Sequence, residues 1–174
     1  MTEPFIIPSL ITERLLLRAF EKDDLDPFAS MVSDLEVMQR ATYDGTTMNR
    51  IQAWNWLCFM LGHWYMRGFG IWGIEEKTSG ELIGRIGLQF WDSFDDVELV
   101  WMLAKSAWGK GFASEGARAA IDFGLNTLAI PRIAAVIPQE NKPSIRLAER
   151  LGMEMEKEVE RQDTQFYQYV IAKD

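Results

Sequence analysis

Between residues 95 and 128 a segment apolar on both faces, DDVELVWMLAK, runs through a turn holding two glycines, WGKG, into a helix-like segment striped with small residues. A strand without a polar face must be covered on both sides, and this places it in the interior of a sheet. Ala113, Ala117, Ile121, Gly124 and Leu128 recur at the three- and four-residue spacing of one helix face. Side chains that small let a helix lie close against a sheet, so the chain is expected to fold as α/β.

The junction between strand and helix has a chemistry of its own. The first N–H groups of a helix lack internal partners and its dipole favours negative charge there. Gly109 and Gly111 let the backbone approach a ligand without Cβ atoms in the way. The segment fits neither Gly-x-x-x-x-Gly-Lys-Ser/Thr nor Gly-x-Gly-x-x-Gly, since Ser114 stands where the third glycine of the latter belongs. From the residues alone, the loop is either a phosphate cradle or a tight turn.

Around this unit the remaining elements fall into order. ERLLLRAF (13–20) reads as a first strand and KDDLDPFASMVSD (22–34) as a short helix. TTMNRIQAWNWLCFMLGHWYMRG (46–68) has apolar residues at Ile51, Trp54, Leu57, Cys58, Leu61 and Trp64, with Thr46 or Thr47 as cap and Gly68 as stop. Two strand runs flank the turn KTSGE (77–81), and RIAAVIP (132–138) is a strand. KPSIRLAERLG (142–152) is a helix with Pro143 in its first turn, and two strands follow at 153–160 and 165–172. The predicted order is β-α-α-β-β-β-α-β-α-β-β, a single mixed-sheet α/β domain over 1–174.

A chain of 174 residues supports one sizeable core. No apolar run reaches the roughly 20 residues that span a bilayer, and the first residues lack the basic region of a secretory signal. A single cysteine, Cys58, forms no internal disulfide. A cytoplasmic protein with no membrane partner is therefore expected. The net charge of −8 argues against nucleic acid, which needs clustered Lys and Arg. Residues 98–152 nevertheless carry a net +2 against −10 for the rest, which suggests an anionic ligand in the middle and a cationic partner elsewhere, or else scattered solvated charge.

VELVWMLAKSAWGKGFASEGARAAIDFGL (97–125) resembles the acyl-CoA-binding segment of the GNAT N-acetyltransferase superfamily, with Trp108 at the Gln/Arg place of its loop and Gly111 and Ala113 at its two small positions. WGKGFASE, NKPSIRLAERLGM (141–153) and the opening TERLLLRAFEKDD are similar to the RimJ/RimL branch, which acetylates ribosomal-protein N-termini. The resemblance implies a GNAT-like domain in which the strand before the loop and the strand at 132–138 splay around the pantetheine arm of acetyl-CoA. It implies that Val100, Trp101, Met102 and Leu103 pair main-chain groups with that arm. Gly109, Lys110, Gly111, Phe112 and Ala113 would offer N–H groups to the pyrophosphate, with Ser114 beside them. Asn141 would contact the pantetheine or a bound water, or else act as an ordinary helix cap.

Amide formation from a thioester needs a neutral amine, stabilisation of an oxyanion and a proton for the departing thiolate. The resemblance implies a main-chain N–H near Met102 or Leu103 as oxyanion donor. Glu98 is the candidate base, directly or through water, set against an exposed or ion-paired strand carboxylate. Many family members place a tyrosine where this chain has Ala148, and Ser144, four residues earlier, is the candidate substitute acid, set against a first-turn hydroxyl. His63 reads as a helix-surface residue, and no cluster has metal-ligand spacing, so no metal is expected. Trp54, Trp56 and Trp64 could line the acceptor site or, in a homodimer, a subunit interface. The expected function is transfer of an acetyl group to a primary amine, either a protein N-terminal α-amine or a small cationic amine, by direct attack in a ternary complex. A non-catalytic acyl-CoA sensor is the alternative, and a structural domain that binds no CoA is a second rival.

Overall fold

The structure is a computed structural model that describes residues 6–42, 44–91, 95–161 and 164–173. Among these residues the strands are β1 (Leu10–Ile11), β2 (Leu15–Arg18), β3 (Ile71–Glu76), β4 (Glu81–Gln89), β5 (Val97–Leu103), β6 (Arg132–Pro138), β7 (Glu154–Arg161) and β8 (Thr164–Ala172). The helices are α1 (Leu25–Val32), α2 (Leu35–Ala41), α3 (Arg50–Arg67), α4 (Phe112–Asp122) and α5 (Lys142–Arg150). All eight strands join one sheet in the order β1-β2-β3-β4-β5-β6-β8-β7, the mixed α/β architecture that the sequence implies.

The doubly apolar β5 lies in the interior of the sheet, between β4 and β6. One face packs Ile86, Leu88, Leu99 and Leu103 against α4. The opposite face packs Met102 among Phe28, Met38, Leu57 and Met60 from α1, α2 and α3. The small-residue stripe brings α4 and the turn that follows it close to the sheet. A Cβ on Gly124 would stand 2.7 Å from Ile133 Cδ1 and 2.8 Å from Leu88 Cδ1.

The structure corrects several local expectations. The predicted helix over 22–34 is a 3-10 turn followed by α1, and α2 starts anew because the Asp34 side chain accepts the N–H groups of Glu36 and Val37. Helix α3 is capped by Asn49 in a reciprocal pair with Gln52, not by Thr46 or Thr47. Its buried face is Ala53, Leu57, Met60 and Trp64, while Ile51, Trp54 and Cys58 are exposed. Apolar residues surround most of α3, so periodicity could not choose the side that meets the sheet.

Strands β5 and β6 are the parallel pair of this sheet, and they align only at Val97↔Ile133 and Glu98↔Ala134. Strand β4 stays with β5 as far as Leu103, and β8 stays with β6 as far as Pro138. Beyond Glu98 the two central strands part. The closed end of the gap is tied by Arg132, whose Nε and Nη2 donate to the two Asp96 oxygens at 2.8 Å each, and whose Nη1 donates to Glu156 at 2.9 Å. Bidentate guanidinium–carboxylate pairs set orientation as well as energy, so this pair fixes where the strands begin to diverge. No helix among the described residues is long and apolar enough to cross a membrane.

Candidate active site

The parting of β5 and β6 opens a cleft with two chambers. The outer one, of about 480 Å³, lies against the glycine loop and is lined by Trp101, Met102, Leu103, Gly109, Gly111, Phe112, Ala113 and Ser114. The inner one, of about 670 Å³, is lined by Glu98 and Val100 of β5, by β6, and by Trp56, Arg85, Gln89, Trp91 and Phe166. Arg40, Ala41, Trp101, Asn141 and Ser144 border both. Of the residues predicted to act in catalysis or to hold acetyl-CoA, only Lys110 lines neither chamber. It is exposed, and its carbonyl accepts a 2.8 Å bond from Arg14 Nη1.

The loop owes its shape to left-handed backbone at Gly109 (φ 74°) and Gly111 (φ 82°), the latter standing directly before α4. A residue with a Cβ is strained in that region. The N–H groups of the first turn of α4 therefore lie at the edge of the outer chamber, an arrangement suited to a phosphate. From Leu99 onward, the edge of β5 that faces away from β4 has no strand partner among the described residues, and of its main-chain groups the Leu103 carbonyl accepts from Trp108 Nε1 at 2.9 Å.

Glu115, inside the first turn of α4, braces the loop from behind. Its carboxylate accepts from Thr12 Oγ1 at 2.6 Å, from the Arg14 N–H at 2.8 Å and from Arg14 Nε at 2.7 Å. The Arg14 guanidinium also covers the Phe112 ring at 4.6 Å. Burial pushes the Glu115 carboxyl up, but the hydrogen bonds from Thr12 and Arg14 outweigh it and hold the group below its ordinary value. A lowered folded value means that the stabilisation is present at neutral pH and is lost as pH falls through that value. Glu115→Gln should therefore lower the melting temperature at pH 7 by the equivalent of about 1 kcal/mol and flatten its fall in acid. Thermal melts from pH 7 to pH 3 check this, and superimposable wild-type and variant curves would refute it.

Asn141 serves α5 as its cap: its side-chain oxygen accepts the Ser144 N–H at 3.3 Å, and its Nδ2 donates to the Arg40 carbonyl at 2.9 Å. It thereby holds α5 against the end of α2 on the wall common to both chambers. The Ser144 hydroxyl accepts from Trp101 Nε1 at 3.3 Å and makes no other hydrogen bond among the described residues. Ala148, at the position of the missing tyrosine, is fully buried in the core and lines neither chamber. Glu98 is only 6% exposed and lies at the closed end of the gap.

Of the three tryptophans proposed for the acceptor wall, only Trp56 lines the cleft. Trp64 is in the core and Trp54 faces outward. His63 links elements instead of lying free on a surface. Its Nε2 accepts the Phe90 N–H at 3.1 Å, and its Nδ1 therefore carries the proton that is donated to the Phe69 carbonyl at 2.8 Å.

The sequence reading missed Arg40, Arg85, Gln89, Trp91 and Phe166. Arg85 is the most unusual of them. It is 4% exposed, its Nε and Nη1 have no hydrogen-bond partner among the described residues, and its guanidinium lies 4.3 Å from the centre of the Trp56 ring. Burial pushes its pKa down to about 10. Leaving a buried donor unpaired costs about 1–3 kcal/mol, and more when it is charged. A strand arginine between apolar neighbours is a visible signal, but alternation alone assigns it to a solvent face.

A sheet parted around a cleft, with a glycine loop at a helix start on its rim, is the arrangement that the resemblance to the GNAT superfamily implies. The family model described as an acetyltransferase (GNAT) domain matches residues 14–154. The Bacillus subtilis protein YkkB is 34% identical over 158 residues, covering 86% of this chain and 87% of its own. The N-acetyltransferase YoaA of the same organism is 30% identical over 153 residues, covering 87% and 85%. The crystal structure of an acetyltransferase from Agrobacterium tumefaciens is similar with a TM-score of 0.85 and 28% identity, over 99% of both chains. The chain belongs to the GNAT acetyltransferase family and is an acyltransferase.

Proposed function

We propose that the chain transfers an acetyl group from acetyl-CoA to a primary amine, by direct attack in a ternary complex. The observation that carries this reading is the parting of β5 from β6, with the glycine loop at one end of the gap, buried Glu98 at the other and Ser144 on the wall between the chambers. WGKGFASE and NKPSIRLAERLGM support a RimJ/RimL-like enzyme, and so an acceptor that is a protein N-terminal α-amine or a small cationic amine.

The residues divide the work. The N–H groups from Gly109 to Ala113, at the positive end of α4, suit a diphosphate, and the open edge of β5 from Val100 to Leu103 suits an amide-containing arm. Acetyl-CoA supplies an activated acyl thioester. A main-chain N–H near Met102 or Leu103 draws charge from its carbonyl oxygen. Among the described residues that line the inner chamber, Glu98 is the only carboxylate, and it removes a proton from the ammonium so that a neutral amine attacks. An α-amine, titrating near ~8, needs much less of that help than a lysine near ~10.4. Ser144 protonates the departing thiolate. The Trp101 indole N–H on its oxygen favours the deprotonated form and so strengthens it as an acid.

Release of free thiol from acetyl-CoA over a panel of primary amines tests the reading. Acetyl-CoA binding by calorimetry without thiol release from any amine would replace it with the sensor reading. Ser144→Ala should lower kcat by up to about 100-fold, the low end for positioned acid catalysis, while affinity for acetyl-CoA stays near normal. Weakened affinity at unchanged kcat would make Ser144 a binding residue instead.

A further inference from the structure

Among the described residues Arg85 has no hydrogen-bond partner at Nε or Nη1 that accounts for its burial. It stands on β4, opposite Met102 of β5, on the sheet face covered by α1, α2 and α3. It lines the inner chamber but not the outer one, so it stands away from the loop that suits a diphosphate. Its charge meets the face of Trp56, yet Nε and Nη1 find no acceptor among the described residues. A methionine at this position would fill similar space without the desolvation cost, because apolar replacements of buried ionic groups are commonly neutral or stabilising. A desolvated guanidinium at a cavity wall is suited to an oxyanion that arrives with the ligand, since its planar fork matches a carboxylate.

The charges in the inner chamber differ from those of the surrounding sequence. The segments outside 98–152 are strongly acidic, but among the described residues the charged ones lining the chamber are Arg40, Arg85 and Glu98. Gln89 pairs with Glu98 and Arg85 with Met102, so Arg85 and Glu98 share a face, four residues apart along the strands and one strand spacing across, about 14 Å between Cα atoms. Two long side chains on that face narrow the distance between a cationic group at Glu98 and an anionic group at Arg85. Trp56, Trp91 and Phe166 supply apolar wall around them.

We propose that Arg85 is the specificity residue of the acceptor chamber, and that the amine acetylated by this protein carries a carboxylate which Arg85 binds. The acceptor is then an amino acid or a peptide-like amino acid derivative, zwitterionic when free, and not a polyamine. The amine nitrogen lies at Glu98 and the carboxylate at Arg85. No bond to the carboxylate is made or broken. This assignment rests on the acetyl-transfer reading and sets an amine that also carries a carboxylate in place of its small cationic amine.

The test uses matched pairs: α- and ω-amino acids, each against the same amine without its carboxylate, in the thiol-release assay. A site built around a buried donor rejects an analogue that leaves the donor unpaired by large factors. For the best pair, wild-type kcat/KM should favour the carboxylate by at least about 100-fold, and in Arg85→Met this ratio should collapse to within about 3-fold. The melting temperature of Arg85→Met should equal or exceed that of the wild type. If that variant does not fold, Arg85→Lys serves in its place: it keeps the charge but loses the fork, and its ratio should drop at least about 10-fold. Calorimetry with CoA present gives a readout without turnover, in which N-acetyl amino acids bind the wild type and their methyl esters bind at least about 10-fold more weakly.

Thiol release from amines with no preference for a carboxylate would overturn the assignment of Arg85 and leave acetyl transfer standing. A carboxylate preference that survives in the folded Arg85 variant would overturn it as well. Absence of thiol release with every amine would overturn both readings together.

Discussion

Gly111→Glu should abolish the rise in melting temperature that acetyl-CoA gives the wild-type protein. At a ligand concentration 100 times Kd, binding stabilises the folded state by about 2.7 kcal/mol. For a chain of this size each kcal/mol moves Tm by roughly 2–4 °C, so a shift of roughly 5–10 °C is at stake. Gly111 stands before α4 at φ 82°, where a side chain costs about 1–2 kcal/mol of backbone strain. A glutamate adds a negative charge at the end of the helix that favours anions, beside the proposed diphosphate position. The new carboxylate would not wreck the unliganded protein, since an added Cβ meets only Arg14 Nη2, at 3.4 Å, and that neighbour is cationic. Gly111→Ala separates the two effects, because it brings the strain without the charge and should keep part of the shift. Thermal melts with and without acetyl-CoA decide the matter, and a full ligand shift in Gly111→Glu would remove the cradle assignment.

The second large effect is expected at Glu98. Positioned base catalysis is worth about 10²- to 10⁴-fold, so Glu98→Ala should lower kcat near pH 7 by at least about 100-fold, with little change in acetyl-CoA affinity. Its pH dependence separates chemistry from folding. Without a protein base, the rate should climb with pH toward the pKa of the amine itself, near ~8 for an α-amine and near ~10.4 for a lysine. A variant that is merely misfolded would not recover at high pH. Glu98 is buried where β5 and β6 still pair, so Glu98→Gln, which keeps the shape, is the control for damage to the strand junction. If both variants keep kcat within about 3-fold of the wild type across the pH range, Glu98 is a structural carboxylate and solvent takes the proton.

The two proposed roles differ in how visible they were beforehand. The glycine loop is a local object: a strand end, two glycines and a helix start lie within a dozen residues, and their spacing determines both backbone and chemistry. Ser144 and Asn141 are nearly as local, since cap, proline and helix follow in one run, and the structure adds the Trp101 indole on the serine hydroxyl. Glu98 was visible as a lone acid in an apolar strand. Its place at the closed end of the gap became clear only from the register of β5 against β6.

By itself the sequence determined the α/β class, nearly all of the element order, the loop and the helix that packs tightly behind it. These depend on side-chain period, small residues and helix-start chemistry, all of which act over a few residues. Tertiary structure decided which face of the almost wholly apolar α3 meets the sheet, and so put Trp56 in the cleft, Trp64 in the core and Trp54 outside. It also decided the environment of Arg85. On β4 alone, the alternation of Leu82, Gly84, Ile86 and Leu88 assigns Arg85 to the polar face, which in a sheet covered on one side would be solvent. Helices that begin more than 30 residues earlier in the chain cover that face, enclose the guanidinium and leave it at the wall of a cavity. Burial is a property of what a distant segment places over a residue, and periodicity within one strand carries no information about it.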